Sequence, residues 1–233
     1  KQNYPVFRLK GGFNMLKSSL TSELVKKFTK ALEKILEYKN NGKNEEALSV
    51  IDDTFKEIFR LSSKFFSSFS DENLMDMIKT DGTLNADKCI MMAKLLEEEG
   101  EIYESQGNHN EAFYLDLKAI NLLLEAYINK DNNCDLQSYF SDIDLIIEKI
   151  SDYKLPISLE NKILDYYIKT DKYDKAEDML YDILEHNNFD EDSIKKGIAF
   201  YELLLTKDDE SLESSNLPRE EINDSLQQLK RKL

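Results

Sequence analysis

Three times in this chain a tyrosine is followed nine residues later by an alanine across a turn: Tyr38/Ala47, Tyr103/Ala112 and Tyr167/Ala176. The spacing predicts a helical hairpin used at least three times. The tyrosine lies late in the first helix, and a small residue lies early in the second, where the two axes must approach closely.

Composition agrees with that architecture. Seven glycines, three prolines and no tryptophan, with abundant Leu, Ile, Lys, Glu and Asn, suit an all-helical protein better than a sheet built on tight turns. At 233 residues the chain can form one elongated or two small domains with a real core. Its excess of Lys over Arg and its frequent Asn and Ile point to an AT-rich bacterial genome. A net charge of −15 opposes nonspecific binding to nucleic acid or an anionic membrane, both of which need clustered cations. The expected partner is therefore basic or neutral. Neither Cys89 nor Cys134 belongs to a CxxC pair, and no apolar run reaches the length of a membrane span or signal-peptide core. The expected compartment is the cytoplasm.

Residues 1–14 need separate treatment. Lys10-Gly11-Gly12 can be encoded by a purine run that resembles a ribosome-binding site, at a plausible distance before Met15. Residues 1–14 are therefore expected to be upstream sequence or a disordered extension, and 15–233 a single helical domain. The rival is a genuine arm that docks through Tyr4, Val6, Phe7 and Leu9.

Apolar steps of three and four residues through Leu24, Phe28, Leu32 and Ile35 predict a helix from Leu20 to about Asn40. Gly42 closes it, Asn44 is the expected cap of the next helix, and Ser70 caps a short helix that Asp81-Gly82 stops. The second hairpin spans about 85–106 and 108–129. In its first helix Met92, Leu96, Gly100 and Tyr103 face inward, opposite Glu97, Glu101 and Glu104. Its second helix is apolar over most of its circumference, apart from a stripe of Lys118, Asn121 and Glu125, and is placed at the centre of the fold. Further helices are expected at 136–151, 158–169, 172–186 and 192–205. A loop at 207–217 then precedes a capping helix with Pro218 in its first turn and Ile222, Leu226, Leu229 and Leu233 as its seam.

The series Gly100, Tyr103, Gly107, Ala112 and Ala119 resembles the signature of the tetratricopeptide-repeat (TPR) family over about thirty residues. The other hairpins match less well: Ile35 and Leu164 replace Gly100, Asp171 replaces Gly107, and Thr54 and Ile183 replace Ala119. The stretch from Gly82-Thr83 through Leu95-Leu96 to Ala119 is also similar to a group of uncharacterised bacterial TPR-like proteins, a likeness that implies no known activity. The resemblance implies an all-α, right-handed α-α superhelix of about nine or ten helices, with a peptide- or protein-binding concave face lined by first helices. That face would hold Lys94, Glu97, Glu101 and Glu104, continued by Asn161, Asp165 and Lys169. The alternative is that these charges form a solvated helix face. The Lys and Asn clamp of chaperone-tail binders has no counterpart, since Leu32 and Leu36 stand in the first pair.

Catalytic and metal chemistry find little support. His109 and His186 fall at helix ends or turns, and the di-iron Glu-x-x-His pattern is absent. Asp131, Asn133, Asp135 and Asp142 imitate part of a calcium loop, but Leu136 occupies the position that needs glycine. No phosphate loop or nucleophile elbow appears, and Cys89 reads as a buried small hydrophobe. No catalytic, cofactor or metal residue is expected. The expected function is a non-enzymatic adaptor or scaffold that binds a basic protein or peptide on an acidic helical face. The alternatives are a peptide- or ligand-responsive helical-repeat regulator lacking a DNA-binding domain and, third, a helical enzyme of unknown type.

Overall fold

Gly42, Gly107 and Asp171 all take a left-handed backbone, with φ of 68°, 80° and 55°. The computed structural model describes residues 10–80, 83–130 and 134–233, and these three positions close the first helices of its three Tyr/Ala hairpins. In each, the residue after the left-handed one donates its amide to the tyrosine carbonyl: Lys43 to Tyr38 at 2.9 Å, Asn108 to Tyr103 at 2.9 Å and Lys172 to Tyr167 at 3.0 Å. The alanine amide then bonds the carbonyl of that same residue, at 3.0, 3.1 and 2.9 Å. The last carbonyls of one helix and the first amides of the next are thus satisfied within one turn. The caps Lys43, Asn108 and Lys172 share nearly one conformation, with φ/ψ of −92°/64°, −89°/62° and −95°/66°.

The protein is all-α. Among the described residues the hairpins are α1 (Lys10–Asn40) with α2 (Asn44–Phe59), α5 (Ala86–Ser105) with α6 (His109–Asn129), and α8 (Ile157–Lys169) with α9 (Tyr173–His186). Between the first two lie α3 (Ser63–Ser67), α4 (Asp71–Ile78) and a two-residue antiparallel ladder pairing Lys79 with Leu84 and Thr80 with Thr83. A 3-10 turn (Gln137–Ser141) and α7 (Asp142–Ile150) follow the second hairpin; α10 (Glu191–Leu204), α11 (Asp209–Ser214) and α12 (Arg219–Lys230) follow the third. The helices gather into two compact units that divide between Ile150 and Ser151, where the sequence reading takes 15–233 as one domain.

Several expectations need correction. Twelve α-helices are described, against nine or ten expected. The first helix opens at Lys10, inside the stretch 1–14 set apart as upstream sequence or a disordered extension, and residues 1–9 lie outside the described residues. Lys43 rather than Asn44 caps α2, and Asn44 instead donates from Nδ2 to Ser105 Oγ at 3.3 Å. The stop at Asp81-Gly82 lies outside the described residues. The expected loop 207–217 contains α11, because Asp208 accepts from the Ser211 amide at 2.8 Å and Leu212 is fully buried. Pro218 is the N-cap of α12, not part of its first turn, and Leu233 of the expected seam lies beyond the helix, exposed.

The helix expected over 136–151 begins as a 3-10 turn. Asp87 Oδ1 accepts the Leu136 amide at 2.9 Å, and the tighter winding sets Tyr139 edge-on to Phe28 and Phe140 edge-on to Tyr127. In this first unit α5 is more enclosed than α6: every residue from Cys89 to Leu96 is buried, whereas Tyr114 of α6 is exposed. The reason is packing. α5 lies against α1, α2 and α6 together. Asn121, expected in the polar stripe of α6, is buried.

Candidate functional site

Residues 94, 97, 98 and 101 of α5 recur at three- and four-residue steps and therefore share one helix face. Packing brings a second and a third element to that face. Lys94 Nζ lies 2.6 Å from Glu97 Oε2, 3.7 Å from Glu98 Oε1 and 2.9 Å from Asp142 Oδ2, at the first residue of α7. Lys39, near the end of α1, donates to both Glu98 and Glu101. The Lys94 ammonium also lies 5.5 Å from the centre of the Tyr139 ring. Two ammonium groups thus serve four carboxylates, and most of the network is out of water: the side chains of Lys94, Glu97 and Glu98 are 9%, 12% and 6% exposed.

This arrangement decides the charge states. Burial pulls the Lys94 ammonium down, but Glu97 and Asp142 outweigh it and hold the pKa above its ordinary value. Lys39 is raised in the same way, with Glu101 and Glu98 outweighing burial. Burial pushes the Glu97 carboxyl up to about 7; Lys94 offsets part of this, while Asp142 and Glu98 add to it. Glu97 is therefore an acid poised near neutrality.

The flanks of α5 carry further buried carboxylates. Glu99 accepts from Ser63 Oγ, and Asp116 Oδ2 of α6 lies 2.6 Å from Lys149 Nζ of α7; burial raises both acids. Asp116 Oδ1 has no hydrogen-bond partner and faces Gly100, where a Cβ would stand 3.4 Å from it. Asp87, held by the Leu136 amide and Cys134 Sγ, is also raised by burial. Cys89 is buried, and burial pushes its thiol far up, away from the reactive range.

The predicted site residues divide sharply. Lys94 is buried and Glu97 nearly so, whereas Glu101 and Glu104 have side chains 49% and 43% exposed. Glu104 Oε1 lies 2.7 Å from His109 Nδ1 across the hairpin turn. Asn161, Asp165 and Lys169 belong to α8, in the other compact unit. Asn161 is committed at both ends of its amide, donating to the Ile157 carbonyl at 2.7 Å and accepting from Lys196. Asp165 and Lys169 are exposed. The open groove between α1 and α2 is lined by Lys27, Lys30, Glu33, Glu37, Asp53 and Glu57, without any of the α5 acids.

Sequence reasoning missed Lys39, Glu98, Asp142 and Glu160 as partners. Glu98 carried a local signal, four residues after Lys94. The others come from distant parts of the chain. Asp142, weighed above as a calcium ligand, instead pairs with Lys94; Asp131 and Asn133 lie outside the described residues. His186 ends α9, and its Nδ1 lies 2.8 Å from Oε1 of the buried Glu160 at the start of α8 without forming a hydrogen bond. Among the described residues no group of three or more His, Cys, Asp or Glu could hold a metal ion, and no helix is long and apolar enough to cross a membrane.

No curated protein and no solved structure matches the chain. An all-α chain with repeated hairpins and an acidic network on α5 is matched over residues 15–233 by one family model, and the chain belongs to that family, the family of unknown function DUF6483.

Proposed function

We propose that this protein is a non-enzymatic adaptor that binds a basic protein or peptide on the outer edge of the α5 network, and that its hairpins are of the TPR-like kind. The observation that carries this reading is the charge imbalance on α5. Lys39 and Lys94 neutralise only part of Glu97, Glu98, Glu101 and Asp142, and the excess emerges at Glu101 and Glu104, which are exposed. A partner's ammonium or guanidinium groups would complete pairs left short of positive charge, in a chain whose net charge of −15 steers cations toward it. The three matching turns support the hairpin reading. Both cysteines are free thiols, which supports a reducing compartment such as the cytoplasm.

The test uses a synthetic lysine-rich peptide and a charge-matched scrambled peptide, titrated calorimetrically into the wild-type chain and into Glu101→Lys/Glu104→Lys. Binding that weakens steeply with salt and falls about tenfold or more in the variant supports the reading. Equal affinity in both proteins sinks it, because the peptide would then bind away from Glu101 and Glu104.

A further inference from the structure

The amino-terminal end of α7 is fastened differently from the rest of that helix. Ile143, Ile146, Ile147 and Ile150 are buried, and Lys149 pairs with Asp116, so the body and far end of α7 are held to α6 by apolar packing and one ion pair. At the near end, Asp142 reaches α5 through Lys94, and Tyr139 of the preceding 3-10 turn contacts Phe28 of α1. We propose that Glu97, Lys94 and Asp142 form a proton-linked latch: with a proton on Glu97 the 3-10 turn and the first turn of α7 stay docked on α5, and loss of that proton to solvent loosens them.

The geometry supplies the mechanism. Glu97 and Asp142 share one ammonium, at 2.6 and 2.9 Å, and with both ionised they repel each other. Every neighbouring group sets the same balance. On α5 these are Glu98 and Glu101, and on α1 they are Lys39, which serves both, and Glu33. The 3-10 turn adds Tyr139 and α7 adds Asp142. Asp116 of α6 lies toward Glu101 and Glu104, and Asp52 and Glu45 of α2 lie toward Glu99 and Tyr103 on another side of α5. With all carboxylates ionised the two lysines face four negative charges at the latch itself; protonating Glu97 leaves Lys94 to Asp142 at 2.9 Å and Glu98 at 3.7 Å. The neutral acid still accepts a hydrogen bond from Lys94. Raising the pH through about 7 ionises Glu97, and the docked arrangement, which holds the proton more tightly than a solvated carboxyl does, loses ground to the released one.

Hydrogen–deuterium exchange on the full chain tests this directly, at about pH 6 and about pH 8 with rates corrected for intrinsic exchange. Residues 138–143 should exchange about tenfold faster at the higher pH, the change expected across this range when the docked state holds Glu97 at about 7 and the released state at its ordinary value, while residues 146–150 keep their rates. Glu97→Gln, which cannot ionise, should keep 138–143 slow at both values. Asp142→Asn, which removes one of the charges that raise Glu97, should reduce the dependence without abolishing it, because burial contributes most of that rise. Equal wild-type rates at both pH values overturn the latch, as does equal acceleration of 146–150. Retention of the tenfold change in either variant overturns it as well.

Discussion

Lys149 Nζ lies 2.6 Å from Oδ2 of Asp116, a carboxylate that is itself 1% exposed. Lys149→Met therefore leaves a buried acid without its counter-charge. We expect a loss of about 2–4 kcal/mol in urea unfolding near pH 8, toward the cost of breaking a buried pair. The loss should shrink near pH 5, because Asp116, already raised by burial, escapes by taking a proton. An equal loss at both pH values would show that Lys149 contributes through packing alone.

Three glycines should respond to alanine in three ways. At Gly107, φ of 80° opposes any side chain, and Gly107→Ala should cost about 1–2 kcal/mol. At Gly197, a Cβ would stand 2.6 Å from Leu229 Cδ1, so Gly197→Ala must displace that side chain at the α10–α12 contact and should also destabilise. At Gly100, the nearest atoms would lie at 3.4 Å, an ordinary contact, and relief of glycine's helix penalty should make Gly100→Ala neutral or stabilising by up to about 1 kcal/mol. Thermal denaturation of the three variants side by side checks the order.

The chain should grow more stable as the pH falls from about 8 to about 6. Burial holds Glu97, Glu99, Asp87, Asp116, Glu177 and Asp182 above the ordinary carboxylate range. The native state therefore keeps protons that the unfolded chain releases, and this contribution fades as the pH rises through each native pKa. For Glu97 the window runs from the ordinary range up to about 7. Asp190, Glu191 and Asp208 shift downward, so their contribution disappears only in more acid solution and does not oppose the trend. Urea midpoints across this range test the slope, which Glu97→Gln should reduce.

Arg219 binds the segment after α10 with three bonds: Nη1 to the Leu205 carbonyl at 2.9 Å, Nη2 to the Lys207 carbonyl at 2.6 Å and Nε to Asp209 Oδ1 at 2.6 Å. Lysine has the charge but not the planar fork. Arg219→Lys should cost about 1–2 kcal/mol and speed amide exchange in residues 205–217. Unchanged exchange there would mean that Leu212 and Leu217 hold the segment without it.

The hairpins were legible because their signals are local. Gly42 and Gly107 end helices where the left-handed backbone requires it, and Ala47, Ala112 and Ala176 lie a fixed distance beyond. α11 was missed because one buried residue, Leu212, makes no period, and its cap, Asp208, is one acid in an acidic stretch. The charges on α5 were found as residues but not as a network. Lys39 meets Glu98 across 59 positions and Asp142 meets Lys94 across 48, separations at which no pattern of spacing carries information.

The amino-acid order alone determined that this chain is helical, where its hairpins turn and which faces of its helices are apolar, since those follow from backbone preferences and periodicity within a few residues. Only the tertiary structure decided that Lys94 and Glu97 turn inward while Glu101 and Glu104 meet solvent. The glutamates of α5 are chemically alike in sequence. Their difference comes from which neighbours remove their water and which ammonium groups come within reach.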